Sequence, residues 1–185
     1  NYWHVGDNDT RSDTDVPAGT FTLTENTDSD YNTNIDCGVL GSSENGTIDL
    51  TIDAGDSVNC DVTNTRKTGT ITLIKQIDPT DDSGTFNLLI DGTVYAENVG
   101  EGGTTDEITV NTGNHSVSET ASGGTSLSDY DSIISCDNDA SDTGTDLEFA
   151  VSEGDNVTCT FTNTKHGSIR IIKDADPNSD QVFGF

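Results

Sequence analysis

A repeat constrains this chain more than any other feature. Cys37 and Cys60 recur as Cys136 and Cys159, each pair 23 residues apart and the second pair 99 residues after the first. The flanking text recurs with them: YNTNIDC (31–37) with YDSIISC (130–136), and AGDSVNCDVTNT (54–65) with EGDNVTCTFTNT (153–164). Upstream, VPAGTFTLTE (16–25) matches VNTGNHSVSE (110–119) at an offset of 94, and downstream GTITLIKQIDP (69–79) matches GSIRIIKDADP (167–177) at an offset of 98. Fixed-period self-similarity of this kind marks tandem structural units.

The repeat is cut out of phase. Residues 67–165 form one complete module, with strands expected near 69–75, 85–90, 107–110, 114–119, 130–136, 146–151 and 156–163. Residues 1–66 read as a module lacking its first two strands, and 166–185 as the first strands of a following module. Two arrangements fit: a slice of one continuous array, or a subunit whose 167–173 strand completes the first module of the next copy.

Period-2 alternation of apolar residues, with Thr, Ser, Asn, Asp and Gly between the runs, points to a turn-rich all-β fold. The 34 acidic against 7 basic side chains give a formal charge of −27. Such a chain has no basic face for a polyanion, which excludes nucleic-acid binding. The acidity reads as a hydrated, salt-tolerant and soluble surface. There is no apolar run of transmembrane length.

Side chains at i, i+2 and i+4 share a face of a strand. Ile71 and Leu73 therefore lead to Lys75, His115 and Val117 to Glu119, and Val157, Cys159 and Phe161 to Asn163. The partial module repeats the pattern: Phe21 and Leu23 lead to Glu25, and Val58, Cys60 and Val62 lead to Asn64. Ile169 and Ile171 lead to Lys173. One reading is that alternation ends at strand tips, where polar groups meet water. The other is chemical. A desolvated lysine tends to lose its proton, and its amine can attack an Asn amide while a neighbouring carboxyl group moves the protons to the departing ammonia. That chemistry would act on the protein itself.

The motifs G-T-I-T-L-I-K-x-x-D, S-V-S-E-T and C-T-F-T-N-T-K across residues 69–165 resemble the B-type repeats of Gram-positive collagen adhesins and pilin backbone subunits. The resemblance implies tandem immunoglobulin-like sandwiches of reverse-immunoglobulin, prealbumin-like type with about seven strands each. It also implies an isopeptide bond between Lys75 and Asn163 beside Glu119. An inter-module counterpart would join Lys173 to Asn64 beside Glu25. The paired cysteines depart from the usual pilin module.

Cysteines at repeated spacing suggest the disulfides Cys37–Cys60 and Cys136–Cys159, hence an oxidising, extracellular setting. Free thiols are the alternative, and a zinc site lacks CxxC spacing. Sequons at Asn8, Asn45, Asn114 and Asn156 offer glycosylation sites, with Asn45 in an expected turn. Acidic loops could hold Ca²⁺ through carboxylate oxygens. Asp137, Asp139 and Asp142 are the candidates, though none of the loops matches EF-hand spacing. The three histidines form no cluster and no nucleophile–base motif occurs, so catalysis on a separate substrate is not expected. The sequence reads as a structural repeat of an extracellular filament, pilus-like fibre or surface stalk, whose partners are copies of itself. An adhesin module binding carbohydrate or another ligand through Ca²⁺-dependent loops is the alternative.

Overall fold

A computed structural model describes residue 6 and residues 9–174. The first part of the chain contributes β1 (Gly19–Thr24), β2 (Tyr31–Asp36), β3 (Ser42–Ser43), β4 (Thr47–Ile52) and β5 (Asp61–Arg66). The second contributes β6 (Thr68–Asp78), β7 (Thr85–Ile90), β8 (Thr93–Val99), β9 (Thr104–Asn111), β10 (Gly113–Ser122), β11 (Tyr130–Cys136), β12 (Ser141–Thr143), β13 (Asp146–Val151) and β14 (Asn156–Lys165). Only two single-turn 3₁₀ segments interrupt the strands among the described residues.

Residues 67–165 form a sandwich. One sheet has the order β13-β10-β7-β8, the other β12-β11-β14-β6-β9. Ile71, Leu73, Leu88, Ile90, Val117, Ile134, Val151, Val157 and Phe161 fill the space between them, as alternation along each strand requires. The first and last strands, β6 and β14, lie side by side and run parallel, from Asn156 opposite Thr70 to Thr164 opposite Asp78. Two strands exceed the expected seven. β8 is an edge strand whose large residues Val94 and Tyr95 face outward, so it carries no clean alternation. β12 is too short to show a period at all.

The preceding part is half of the same design. β1 pairs with β4, and β3-β2-β5 form the second sheet, around a small core of Ile35, Cys37, Ile48 and Leu50. Disulfides join Cys37 to Cys60 and Cys136 to Cys159. The second pair sits directly opposite in the β11–β14 ladder, and closing a loop of this length stabilises by about 3 kcal/mol.

Only Lys67 separates β5 from β6. The Arg66 guanidinium donates to the Thr112 carbonyl at 3.1 Å, Asn32 Nδ2 donates to Glu153 Oε1 at 2.5 Å, and Lys67 pairs with Glu153 at 3.7 Å. The strand expected at 167–173 is not formed. Residues 167–174 are exposed, with Ile169 at 88%, because no sheet edge among the described residues receives them.

Gly69 lies where the β13–β14 hairpin crosses β6. A Cβ there would sit 2.5 Å from Val151 Cγ1 and 2.9 Å from the carbonyls of Ser152 and Asp155. Gly69→Ala should therefore cost about 2 kcal/mol through overpacking. Urea denaturation checks this as a lowered midpoint at unchanged slope.

Candidate functional site

Three polar side chains converge inside the complete sandwich. Lys75 and Asn163 are wholly buried and Glu119 is 3% exposed. Lys75 comes from β6, Asn163 from the adjacent β14, and Glu119 from β10 in the facing sheet. Phe161 is the ladder partner of Lys75 and Asn163 that of Ile77. Lys75 and Asn163 are thus diagonal neighbours on the inner face of one parallel pair. The other strand-tip trio is split: Glu25 and Asn64 meet, but no lysine joins them among the described residues.

The backbone of Lys75 is clamped from outside. Lys75 N–H donates to the Gly103 carbonyl at 2.8 Å, and Gly102 N–H donates to the Lys75 carbonyl at 2.9 Å. The Ile77 N–H donates to the Glu101 carboxylate. One turn earlier the β6–β9 register slips between Thr72 and Ile74. There the buried Thr105 hydroxyl accepts the Leu73 N–H at 3.0 Å, replacing the lost ladder bond. A bulge bridged in this way re-aims the following side chains. Sequence reading missed Glu101 and Thr105, since neither lies in an apolar series.

Around Nζ the geometry is closed. Nζ donates to the carbonyls of Gln76 and Phe161, each at 3.2 Å, and stands 3.2 Å from Glu119 Oε2. It also lies 4.4 Å from the centroid of Phe86, whose ring meets Tyr130 edge-on at 5.4 Å. Burial pushes the Lys75 pKa down, against the opposing pull of Glu119 and, more weakly, Glu101. Both polar atoms of the Asn163 amide are buried without a hydrogen-bond partner. Each such orphan costs about 1–3 kcal/mol. The site therefore holds an amine whose charged form burial disfavours, an amide with no partner to lose, and a carboxyl group beside the amine.

A second cluster caps the same pole. Tyr130 donates to Asp82 Oδ1 at 2.5 Å, and Lys165 donates to the Tyr130 hydroxyl at 3.2 Å while lying over its ring. The Tyr130 bond holds the Asp82 pKa down, and burial pushes the Tyr130 pKa up. Tyr31, Arg66 and Asp30 repeat part of this arrangement, with Arg66 paired to Asp30 at 2.6 Å. The signal was available in the repeat, where Tyr31 aligns with Tyr130 and Arg66 with Lys165.

The other expected sites are dispersed. Asn45, Asn114 and Asn156 are exposed, and Asn45 Oδ1 accepts from Ser43 and from the Thr47 N–H; Asn8 lies outside the described residues. Among the described residues no three acidic, His or Cys side chains are placed to share an ion. Asp137 instead accepts the Thr158 N–H and Asp142 that of Thr143, and Asp139 does not join them. No described helix is long and apolar enough to cross a membrane.

Comparison with known proteins places these features in a family. SpaA-type prealbumin-like fold domains match residues 70–165 and, separately, residues 4–62. No curated protein matches the chain. The major pilin from Streptococcus pyogenes is similar at 13% identity over 82% of this chain and 66% of its own, with a TM-score of 0.33. A glutamate-to-alanine variant of that pilin is similar at 14% identity, with the same coverage and a TM-score of 0.34. An asparagine-to-alanine variant is similar at 13%, covering 83% and 67%, with a TM-score of 0.30. The chain thus spans about two thirds of the pilin's length.

The depressed Lys75 pKa has a measurable consequence where the amine stays titratable, as in Asn163→Ala. Between the lowered folded pKa and the ordinary 10.5, the unfolded chain binds more protons than the folded one. Stability should therefore rise with pH through that window and level off above it. Denaturation at stepped pH, referenced to Asn163→Ala with Lys75→Met, checks this: the rise should vanish in the double variant.

Proposed function

The chain belongs to the family of SpaA-type prealbumin-like fold domains, and from that premise we propose that it is a structural subunit of an extracellular pilus-like filament. Its modules are stapled by self-formed isopeptide bonds, its partners are copies of itself, and strands are exchanged between subunits. The observation that carries this reading is the burial of Lys75, Glu119 and Asn163 together, with the Asn163 amide unpartnered. The two disulfides fit an oxidising compartment.

The chemistry follows from the contacts. Glu119 takes a proton from the Lys75 ammonium through the 3.2 Å contact, leaving a lone pair on Nζ. Nζ attacks the Asn163 side-chain carbonyl carbon, and a C–N bond forms. Glu119 gives that proton to the amide nitrogen and takes a second one from Nζ, the original C–N bond breaks, and ammonia departs, leaving Glu119 protonated. One secondary amide then replaces an amine and a primary amide in a site where each unmet polar group is costly. The low dielectric that penalises the ammonium also strengthens the role of the carboxyl group. No external substrate turns over.

A structural role also gives the parallel β6–β14 pair a purpose. Load entering at Thr68 and leaving at Lys165 shears the two strands along their length. A bond near the exit end removes residues 76–162 from the load path.

Intact mass of the reduced chain tests the proposal. The native protein should weigh less than its sequence by at least one ammonia. Lys75→Ala and Asn163→Ala should each restore one ammonia. Glu119→Ala should leave the mass near the unreacted value while the fold persists. A full theoretical mass for the native chain would sink the reading.

A further inference from the structure

Asn163 reaches the crosslinking site without a side-chain anchor. Lys75 is held by two carbonyls, a carboxylate and a clamped backbone, whereas neither polar atom of the Asn163 amide has a hydrogen-bond partner. What places the amide is the backbone of β14 alone. That strand runs between β6 and β11, with Asn163 opposite Ile77 on one side and Ser132 on the other.

Strand register therefore decides whether the amide is at the site. A slip of one residue turns Asn163 to the outer face. A slip of two keeps the inward series inside but moves the amide about 7 Å along the strand, leaving Phe161 or Lys165 in its place. The outer face does little to prevent this. It presents Thr158, Thr160, Thr162 and Thr164 in alternation, and a shift of two sets threonine where threonine stood. At the end of the strand Lys165 pairs with Asp129 at 3.5 Å and meets the Tyr130 hydroxyl at 3.2 Å from a partly exposed position. Solvent-screened contacts of that kind resist a slip weakly.

One contact does discriminate. Cys159 and Cys136 are ladder partners with Cα atoms 4.0 Å apart. A slip of two would part them by about 8 Å, beyond the roughly 7 Å within which a disulfide can close. Cys159 lies on the same inward face of β14 as Asn163. The bond thus forms only in the register that brings the amide to Lys75.

We propose that Cys136 and Cys159 are positioning residues for the Lys75–Asn163 reaction: their disulfide fixes the register of β14, and it forms before the crosslink. The proposal rests on the Lys75–Asn163 reading. The order follows from burial. Cys159 is fully buried and Cys136 is 6% exposed, so a disulfide oxidant reaches the thiols before the two sheets close. The amine, in contrast, is activated only once closure has taken water from it. In the oxidation the two thiols give two electrons and two protons to a small-molecule or protein disulfide, which leaves as two thiols while the S–S bond forms. Neither sulfur takes part in the amide exchange that follows. Once the crosslink is made, β6 and β14 are joined and the register no longer needs the disulfide. Crosslinking is thereby tied to an oxidising compartment at its start and independent of it afterwards.

The test uses the full chain, made and purified under reductant, with intact mass and far-UV circular dichroism followed in time. Without oxidant, the folded chain should lose the Lys75–Asn163 ammonia about a hundredfold more slowly than with it. With oxidised glutathione added, the loss of two hydrogens at Cys136 and Cys159 should precede the loss of ammonia. Cys136→Ala with Cys159→Ala should stay slow even with the oxidant present. Cys37→Ala with Cys60→Ala should react at the native rate, because that bond lies in the preceding module. Adding Ser135→Cys and Thr160→Cys, the next rung of the ladder, to the slow variant should restore the rate, since a bond there pins the same register from the outer face.

A folded variant that lacks the bond yet loses ammonia at the native rate overturns the proposal. So does a rate that stays slow once the second bond has formed. A chain that cannot fold without the Cys136–Cys159 bond overturns it too, because the bond would then serve the fold and not the site. An oxidised native chain that never loses ammonia sinks the Lys75–Asn163 reading itself, whereas equal rates with and without the bond sink this proposal alone.

Discussion

A lysine held entirely out of water inside a lean core is the constraint on which the rest of the structure depends. An ammonium in that position loses its hydration, and burial is the largest influence on the Lys75 pKa. Three acceptors must therefore be brought to Nζ, and they come from different places: two strand carbonyls and a carboxylate from the facing sheet. That requirement fixes the spacing of the two sheets at this pole. It also fixes the register of β6 against β14. A slip of one residue would turn Lys75 or Asn163 to the outside. The bulge at Leu73, bridged by Thr105, and the 100–103 loop that grips the Lys75 backbone serve the same end.

Much of this was legible because period-2 alternation is a strong signal in a chain with so few apolar residues. Lys75, Glu119 and Asn163 each end an inward series, and the structure buries all three. The disulfide partners were legible for the same reason, since both cysteines of each pair sit on inward faces. The tandem sandwich followed from the repeat. β8 was not legible, because an edge strand with outward Val94 and Tyr95 shows no alternation. Glu101 and Thr105 were also hidden. They act on backbone groups across a bulge, and a bulge is by nature a break in the period that sequence reading uses.

The segment 167–174 marks a different kind of limit. Its sequence is that of a strand, yet it forms none, because a strand is defined by its partner and not by its own residues. The same text at 69–75 is a strand because β14 and β9 flank it. β5 shows the converse. It has the sequence of β14 but begins later, and Val62 and Asn64 are exposed where, among the described residues, only β2 flanks it. Propensity is a weak determinant of β structure compared with pairing and burial, and this chain contains both sides of that comparison.

The acidity and the thin core have one mechanical explanation under the proposed crosslinks. A chain with 30% hydrophobic residues cannot rely on apolar burial alone, since native stability is a small difference between large terms. Links between first and last strands change what must be stable. Load passes along β6 to Lys75 and across to Asn163, and everything between is bypassed. The bypassed segments include the acidic loops at 78–82 and 137–142. They can then be chosen for hydration and solubility, because tension never reaches them.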